Sequence, residues 1–282
     1  MGFVLSNYFK IFEGMFKLVG VFMVGLGDEV KRLFLWGQER NPTIYAICWM
    51  NLILHDIKNP HLANGDTLDY PRFEVDGKLR QFSIVIANPP WNQDGYGEDR
   101  LKKAKFKERF SFGYPPNNTA DWAWIQHMLA SAKNDGKVGI VIDNGCLFRG
   151  GKEKNIRKKI IQKDWIECVI LLAEKLFYNT GAPGAIIIFN KDKPKERKGK
   201  ILFINASNEF IPHPEVRRLN SLSDENIGKI VDAYRKFANI PGFSRVVDVD
   251  EVRDNDYNLN VTLYVTVSYT HLRAHETEAD LV

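Results

Sequence analysis

Cysteine is scarce in this 282-residue chain, with three residues (Cys48, Cys146 and Cys168) scattered along it. An odd, scattered set excludes a disulfide framework and a thiolate metal site, and it fits a reducing cytoplasm. A long uncharged apolar run is lacking too. Residues 1–26 are rich in Phe, Val and Gly, but Lys10, Glu13 and Lys17 interrupt them, leaving too little for a membrane span. No basic stretch precedes that apolar part, so a secretion signal fits poorly. Residues 1–30 are therefore expected to be an atypical apolar segment packed on the fold, with no membrane involved. Histidine is sparse, and His271 and His275 have no third ligand nearby in sequence, so no metal is expected. A formal net charge of +4 is too small to point to a polyanionic partner by itself.

The distribution of charge says more. Basic residues cluster at 100–109 (RLKKAKFKER), 152–163 (KEKNIRKKIIQK) and 191–200 (KDKPKERKGK). Each run alone reads as a solvated face, and three on one fold can make a phosphate-tracking surface. Of the three, the run at 100–109 is the first candidate for such a surface. Apolar runs at 31–39, 81–87, 138–142, 165–172, 184–190 and 200–205 read as strands. Between them lie helical patterns at 44–55, opened by Asn41-Pro42-Thr43, and at 121–133 and 155–163. Trp122 and Trp124 read as core or helix-face aromatics. The polar stretch 92–119 is too long for a mere connection. Strands alternating with helices predict an open α/β sheet, and 184–190 with 200–205 are expected to close it as an antiparallel hairpin. The expected divisions are 31–215 as the core and 216–264 as a helical extension. Residues 265–282 (VTVSYTHLRAHETEADLV) read like translated adapter sequence, an expected non-native tail.

The stretch Ile86-Ala87-Asn88-Pro89-Pro90-Trp91 carries the chemistry. A strand running into two prolines cannot continue its ladder, because neither has an N–H to donate. Asn88 and Trp91 thus sit on a stiff corner at a strand's C-terminal edge, where α/β sheets bind ligands. The exocyclic amine of adenine is a poor nucleophile, its lone pair being delocalised into the ring. Two acceptors aimed at its N–H bonds, the Asn88 side-chain oxygen and the Pro89 carbonyl, would localise that pair. Trp91 offers a face for a base taken out of its stack. Without context, the same four residues read as a plain strand-ending turn.

Asn88-Pro89-Pro90-Trp91 is similar to the signature of amino-group methyltransferases that use S-adenosylmethionine. Residues 33–210 resemble the methyltransferase (modification) subunit of type I restriction–modification systems. The matching blocks are LFLWGQERNPTIYAICWMNLILH, ANGDTL, IVIANPPW, TADWAWIQHMLASAK, GKVGIVIDNGCLFRGGKEKNIRKKI, FYNTGAPGAIIIFNK and ILFINASNEF. The resemblance implies a Rossmann-like S-adenosylmethionine-dependent sheet that methylates the N6 amine of adenine in double-stranded DNA. A specificity subunit and a restriction subunit are the implied partners. Asn88, Pro89, Pro90 and Trp91 are the implied catalytic corner, and Asn88 also adjoins the cofactor. Glu39 is the implied holder of the cofactor's ribose hydroxyls, and Asp66 the implied acceptor from its adenine amine. Asn144 and residues 179–183 are implied to line the site. Taken alone, Glu39 reads as a helix-start acid and Asp66 as a turn residue.

The chain departs from the family at its start. The glycine-rich loop that follows the family's first strand has no counterpart. Gly25 and Gly27 stand too close to the strand at Leu33 for a parallel crossover. The first β–α unit is thus expected to be missing or replaced, leaving two strands short of a ladder partner, with residues 19–24 as a candidate filler. The chain reads as incomplete at both ends. Two other readings stand beside the enzyme: a solitary adenine methyltransferase with its own specificity region, and a non-catalytic remnant that binds DNA or partner subunits.

Overall fold

The computed structural model describes residues 34–54, 57, 59–178 and 180–266. In chain order it forms β1 (Trp36–Glu39), α1 (Pro42–Leu54), β2 (His61–Asn64), β3 (Glu74–Val75), β4 (Lys78–Leu79) and β5 (Phe82–Ala87). Next come α2 (Glu98–Leu101), α3 (Asp121–Ala130), β6 (Ala132–Asp143), α4 (Gly151–Ile161), β7 (Ile166–Leu172), β8 (Gly184–Asn190) and β9 (Lys200–Ala206). The last are β10 (Ile211–Pro212), β11 (Asn220–Ser221), α5 (Asp224–Lys236), β12 (Ser244–Asp248), α6 (Val249–Asp254) and α7 (Val261–Tyr264).

Six strands form the main sheet in the order β12-β9-β7-β8-β6-β5. β7 and β8 are buried at every residue, because helices cover both faces. Successive side chains alternate between those faces. Ala185, Ile187 and Phe189 join Ile125, Met128, Ile156 and Ile160 on the α3–α4 side. Ile186 and Ile188 join Ile227, Ile230, Val231 and Tyr234 of α5 on the other. Those four α5 positions follow the i, i+3, i+4, i+7 spacing of one helix face. Ser223 caps α5 in a reciprocal box with Asn226, a contact worth about 1 kcal/mol.

The expected α/β sheet is present, with its closing hairpin shifted by one strand. β8 pairs antiparallel with β7 and with β6, while β9 lies on the far side of β7 and parallel to it. The pairing of 184–190 with 200–205 is therefore not made. A strand buried on both faces has no polar alternation to mark its neighbour, so sequence order is a poor guide there. The Asn-Asp-Gly-Lys stretch at 134–137 lies inside β6, where the register shifts, Phe82 facing Ala132 and Ile84 facing Lys137. Residues 216–264 supply β12 to the sheet and Leu259, Val261 and Tyr264 to its core. Val265 is buried too, its carbonyl accepting from Asn205 Nδ2 at 3.3 Å.

β1 and β2 form a separate parallel pair, Glu39 opposite Asn64. Among the described residues β1 pairs with β2 alone and β5 with β6 alone. Side chains bridge the two sheets. Leu35, Leu52 and Ile86 make a small apolar cluster with Ile84 and Leu62 against it, and the Trp36 and Phe82 rings lie 6.0 Å apart. This break falls where the resemblance sets the family's first strand. The candidate filler at 19–24, Gly25, Gly27, His271 and His275 lie outside the described residues. Among the described residues no helix is long and apolar enough to cross a membrane, and no cluster of His, Cys, Asp or Glu is placed to hold a metal.

Candidate functional site

β5 is buried at Val85, Ile86 and Ala87, and its ladder stops with Ala87 opposite Ile140. Pro89 and Pro90 then turn the chain at the C-terminal edge, as the missing N–H groups require. Trp91 Nε1 donates to Asn88 Oδ1 at 3.2 Å. An indole nitrogen only donates, so the Asn88 atom facing it is the amide oxygen. Phe177 meets Trp91 edge-to-face at 4.6 Å between ring centroids. Gly184, on β8, leaves room for both rings, since a Cβ there would lie 2.7 Å from Phe177 and 2.8 Å from Trp91. Phe177 was not among the expected site residues. Its signal was the aromatic that opens the FYNTGAP block.

Asn144 follows the last residue of β6, whose Asp143 pairs with Gly184 in the ladder. Its Oδ1 is buried and makes no hydrogen bond. Of residues 179–183, Asn179 lies outside the description, and Thr180 Oγ1 accepts from the Ala182 amide at 3.0 Å. Trp124 does more than fill a helix face: its Nε1 donates to Gln93 Oε1 at 3.3 Å, beside the corner. Trp122 is fully buried, as expected.

Glu39 ends β1 at 8% exposure. Its Oε1 accepts from the Asn41 amide at 2.7 Å. Burial pushes its carboxyl above the ordinary range, while the Asn41 and Arg40 amides pull it back. Asp66 follows the turn after β2, where the Gly65 amide donates to the Glu39 carbonyl at 3.0 Å. The two acids are thus neighbours at one edge, as the motif order implied.

The partners of Asp66 were not foreseeable. Its Oδ1 accepts from the Leu68 and Asp69 amides at 3.0 and 3.2 Å. Its Oδ2 accepts from the Tyr96 hydroxyl and lies 3.3 Å from Arg100 and 3.4 Å from Arg40. Arg100 also grips Asp69 and stacks over the Tyr96 ring at 3.9 Å. A carboxylate has about four acceptor sites, and these five contacts use them. The segment that leaves the corner at Asn92 therefore ends pinned on Asp66 by Tyr96 and Arg100.

A nucleotide-like cofactor fits this edge in part. Glu39 keeps an oxygen for a ribose diol, whereas Asp66 can accept from an adenine amine only after releasing Tyr96 or an arginine.

The basic runs are more structural than their charge implied. Each turns one cation inward. Arg109 is buried and donates to the Thr67 and Leu68 carbonyls, with Nη1 2.8 Å from His127 Nδ1. Burial lowers its guanidinium to about 10 and holds His127 well below the usual imidazole range. Arg157 donates to the carbonyls of Tyr257, Cys146 and Arg149. Lys193 donates to Asp164 and to the Lys200 carbonyl. In the run at 100–109, Lys102 pairs with Glu98 and Lys105 with Glu74, leaving Lys103 and Lys107 exposed.

An open α/β sheet with an Asn-Pro-Pro-aromatic corner and acids at neighbouring strand ends defines a protein of the Rossmann-like methyltransferase type. The N-6 DNA Methylase family matches residues 13–271, and the chain belongs to it. It is 54% identical over 242 residues to the type I restriction enzyme MjaVIII methylase subunit of Methanocaldococcus jannaschii, covering 83% of this chain and 41% of that protein. It is 57% identical over 243 residues to the MjaVII methylase subunit of the same organism, with the same shares, 83% and 41%. Among solved structures, the type I restriction–modification methyltransferase subunit from Streptococcus thermophilus superposes with a TM-score of 0.73 at 34% identity, covering 82% of this chain and 48% of that one. The chain spans less than half the length of these relatives.

Proposed function

We propose that the chain carries the adenine-methylating core of a type I modification subunit, acting on the N6 amine of adenine in double-stranded DNA. The observation that supports this best is the corner, where Asn88 Oδ1 is oriented by Trp91 Nε1 and Trp91 is braced by Phe177. S-adenosylmethionine, when bound, supplies an electrophilic methyl group. Glu39 holds its ribose hydroxyls, and Asp66, once released by Tyr96, accepts from its adenine amine.

The chain's own part is preorganisation. Asn88 Oδ1, oriented by the indole contact, accepts one N6–H of the target adenine while the Pro89 carbonyl accepts the other. The prolines fix the separation of these acceptors. Trp91 and Phe177 present π-faces to a base outside its stack. A specificity subunit chooses the sequence, and a restriction subunit completes the complex.

The non-catalytic reading has one observation of its own, the saturated carboxylate of Asp66. One experiment separates the two. The chain is incubated with S-adenosylmethionine carrying a tritiated methyl group and adenine-rich duplex DNA, and the digest is searched for N6-methyladenine. Label in N6-methyladenine that falls about 100- to 1,000-fold in Asn88→Ala supports the enzyme. Equal label in wild type and variant removes the role of the corner. A folded chain that binds DNA and yields no label even with a specificity subunit added favours the remnant.

A further inference from the structure

The residue after the corner is held from two sides. Asn92 takes a left-handed backbone, φ +50°. Its amide donates to Asp121 Oδ1 at 3.1 Å. Its own Oδ1 accepts from Arg149 Nη2 at 2.6 Å, and Arg149 Nη1 donates to Asp121 Oδ2 at 3.1 Å. These contacts close a ring of Asn92, Asp121 and Arg149. Asp121 opens α3 at 1% exposure, and burial pushes its carboxyl upward while the Asn92 amide and Arg149 pull it back.

Arg149 reaches further. The same Nη2 donates to Asp143 at the end of β6, and Glu153 lies 3.6 Å from Nη1. Gly145 makes the passage possible, because a Cβ there would stand 2.7 Å from Arg149 Nη2. One guanidinium thus joins the end of β6, the start of α3 and the turn that follows Trp91. A planar fork can serve these acceptors at once, whereas an ammonium is a point charge.

We propose that Arg149 and Asp121 are positioning residues that set the Asn88–Trp91 corner for an extrahelical adenine, a role that rests on the adenine reading above. They do not touch the base. They fix where the chain leaves the corner, and so the direction in which Asn88 and Trp91 present their acceptor and ring. A shift of about 1 Å at such a site is enough to cost activity. An ion pair that served stability alone would need no contact with Asn92, yet both partners hold it.

The test uses the full chain as wild type, Arg149→Lys and Asn92→Gly. Glycine keeps the left-handed backbone and the amide contact and loses only the side-chain arm. Three quantities are read: hydrogen exchange at the Asn92 amide, emission of 2-aminopurine in a duplex oligonucleotide, and anisotropy of that oligonucleotide. Arg149→Lys is expected to speed exchange at Asn92 by about five-fold, the worth of one hydrogen bond. The emission gain on binding is expected to fall about three-fold in both variants, with affinity unchanged within about two-fold. Unchanged exchange and emission overturn the proposal. So does a loss of emission that only follows a parallel loss of affinity and thermal stability, because that is what a purely structural ion pair would give. A wild-type chain that binds the oligonucleotide and leaves 2-aminopurine dark overturns the adenine reading, and the purpose assigned to the clamp with it.

Discussion

The corner and the acid pair lie at the same edge of the molecule, but they are held in different ways. The corner grows from β5, joined through β6 to a sheet whose central strands are covered on both faces. Its contacts include Trp91 to Asn88, Phe177 to Trp91 and Asp121 to Asn92. The acids grow from β1 and β2, a two-stranded pair tied to that sheet by side chains. Around Asp66 the protein's own donors fill the carboxylate. One half of the edge is braced by rings and a buried sheet, and the other half is held by its neighbours' donors. A small satellite sheet is steadied by polar ties that compete with ligands.

The most damaging change to the acid half is expected at Arg109, which fastens the turn after Asp66 from within. Arg109→Ala leaves the Thr67 and Leu68 carbonyls and His127 without their donor, and is expected to cost about 3 to 5 kcal/mol in urea unfolding. A loss under about 1 kcal/mol would show that the acid half does not depend on this tie.

The corner half has a pH signature through Glu153, whose carboxyl burial pushes to about 7 from an ordinary 4.5, with Arg149 pulling it down and Asp121 pushing it up. A raised folded-state value means that the stability linked to this group is full below pH 4.5 and lost as pH rises through 7. Glu153→Gln removes that loss. The variant is expected to gain up to about 3 kcal/mol over wild type between pH 4.5 and 8, as unfolding at the two pH values would show. Parallel pH profiles would mean that Glu153 is already ionised at low pH.

The smallest effect belongs to the exposed cations. Lys102 and Lys105 already have carboxylate partners, so Lys103 and Lys107 are the exposed lysines of that run with no carboxylate partner among the described residues. Lys103→Glu is expected to lower the salt slope of DNA binding by about 1, and an unchanged slope removes the contact.

Much of this edge was legible in the sequence. Prolines after an apolar run announce a terminated strand, and the blocks holding Glu39, Asp66 and Asn88 carried the resemblance, though the strand before Asp66 read as a turn. What was hidden depended on partners far apart in the chain. Nothing in RLKKAKFKER marks Arg109 as the cation that turns inward, since that follows from the carbonyls of Thr67 and Leu68. The pairing of β9 with β7 was hidden because GAIIIFN and KILFIN show no face preference. Phe177 and Arg149 reach the corner from other strand-end loops, and only the fold brings them there. The saturation of Asp66 was hidden for the same reason, Tyr96 and Arg100 standing some thirty positions away.

The occupation of Asp66 by the protein's own donors is tested most directly by calorimetric titration of S-adenosylmethionine into wild type and Tyr96→Phe. Removing that hydroxyl frees one acceptor site of Asp66 and leaves Arg100 and the ring in place. The expected result is saturable binding that tightens about five-fold in the variant, the worth of one competing hydrogen bond. Equal or weaker binding by Tyr96→Phe, with the fold intact, would contradict it and make Tyr96 a support of the site.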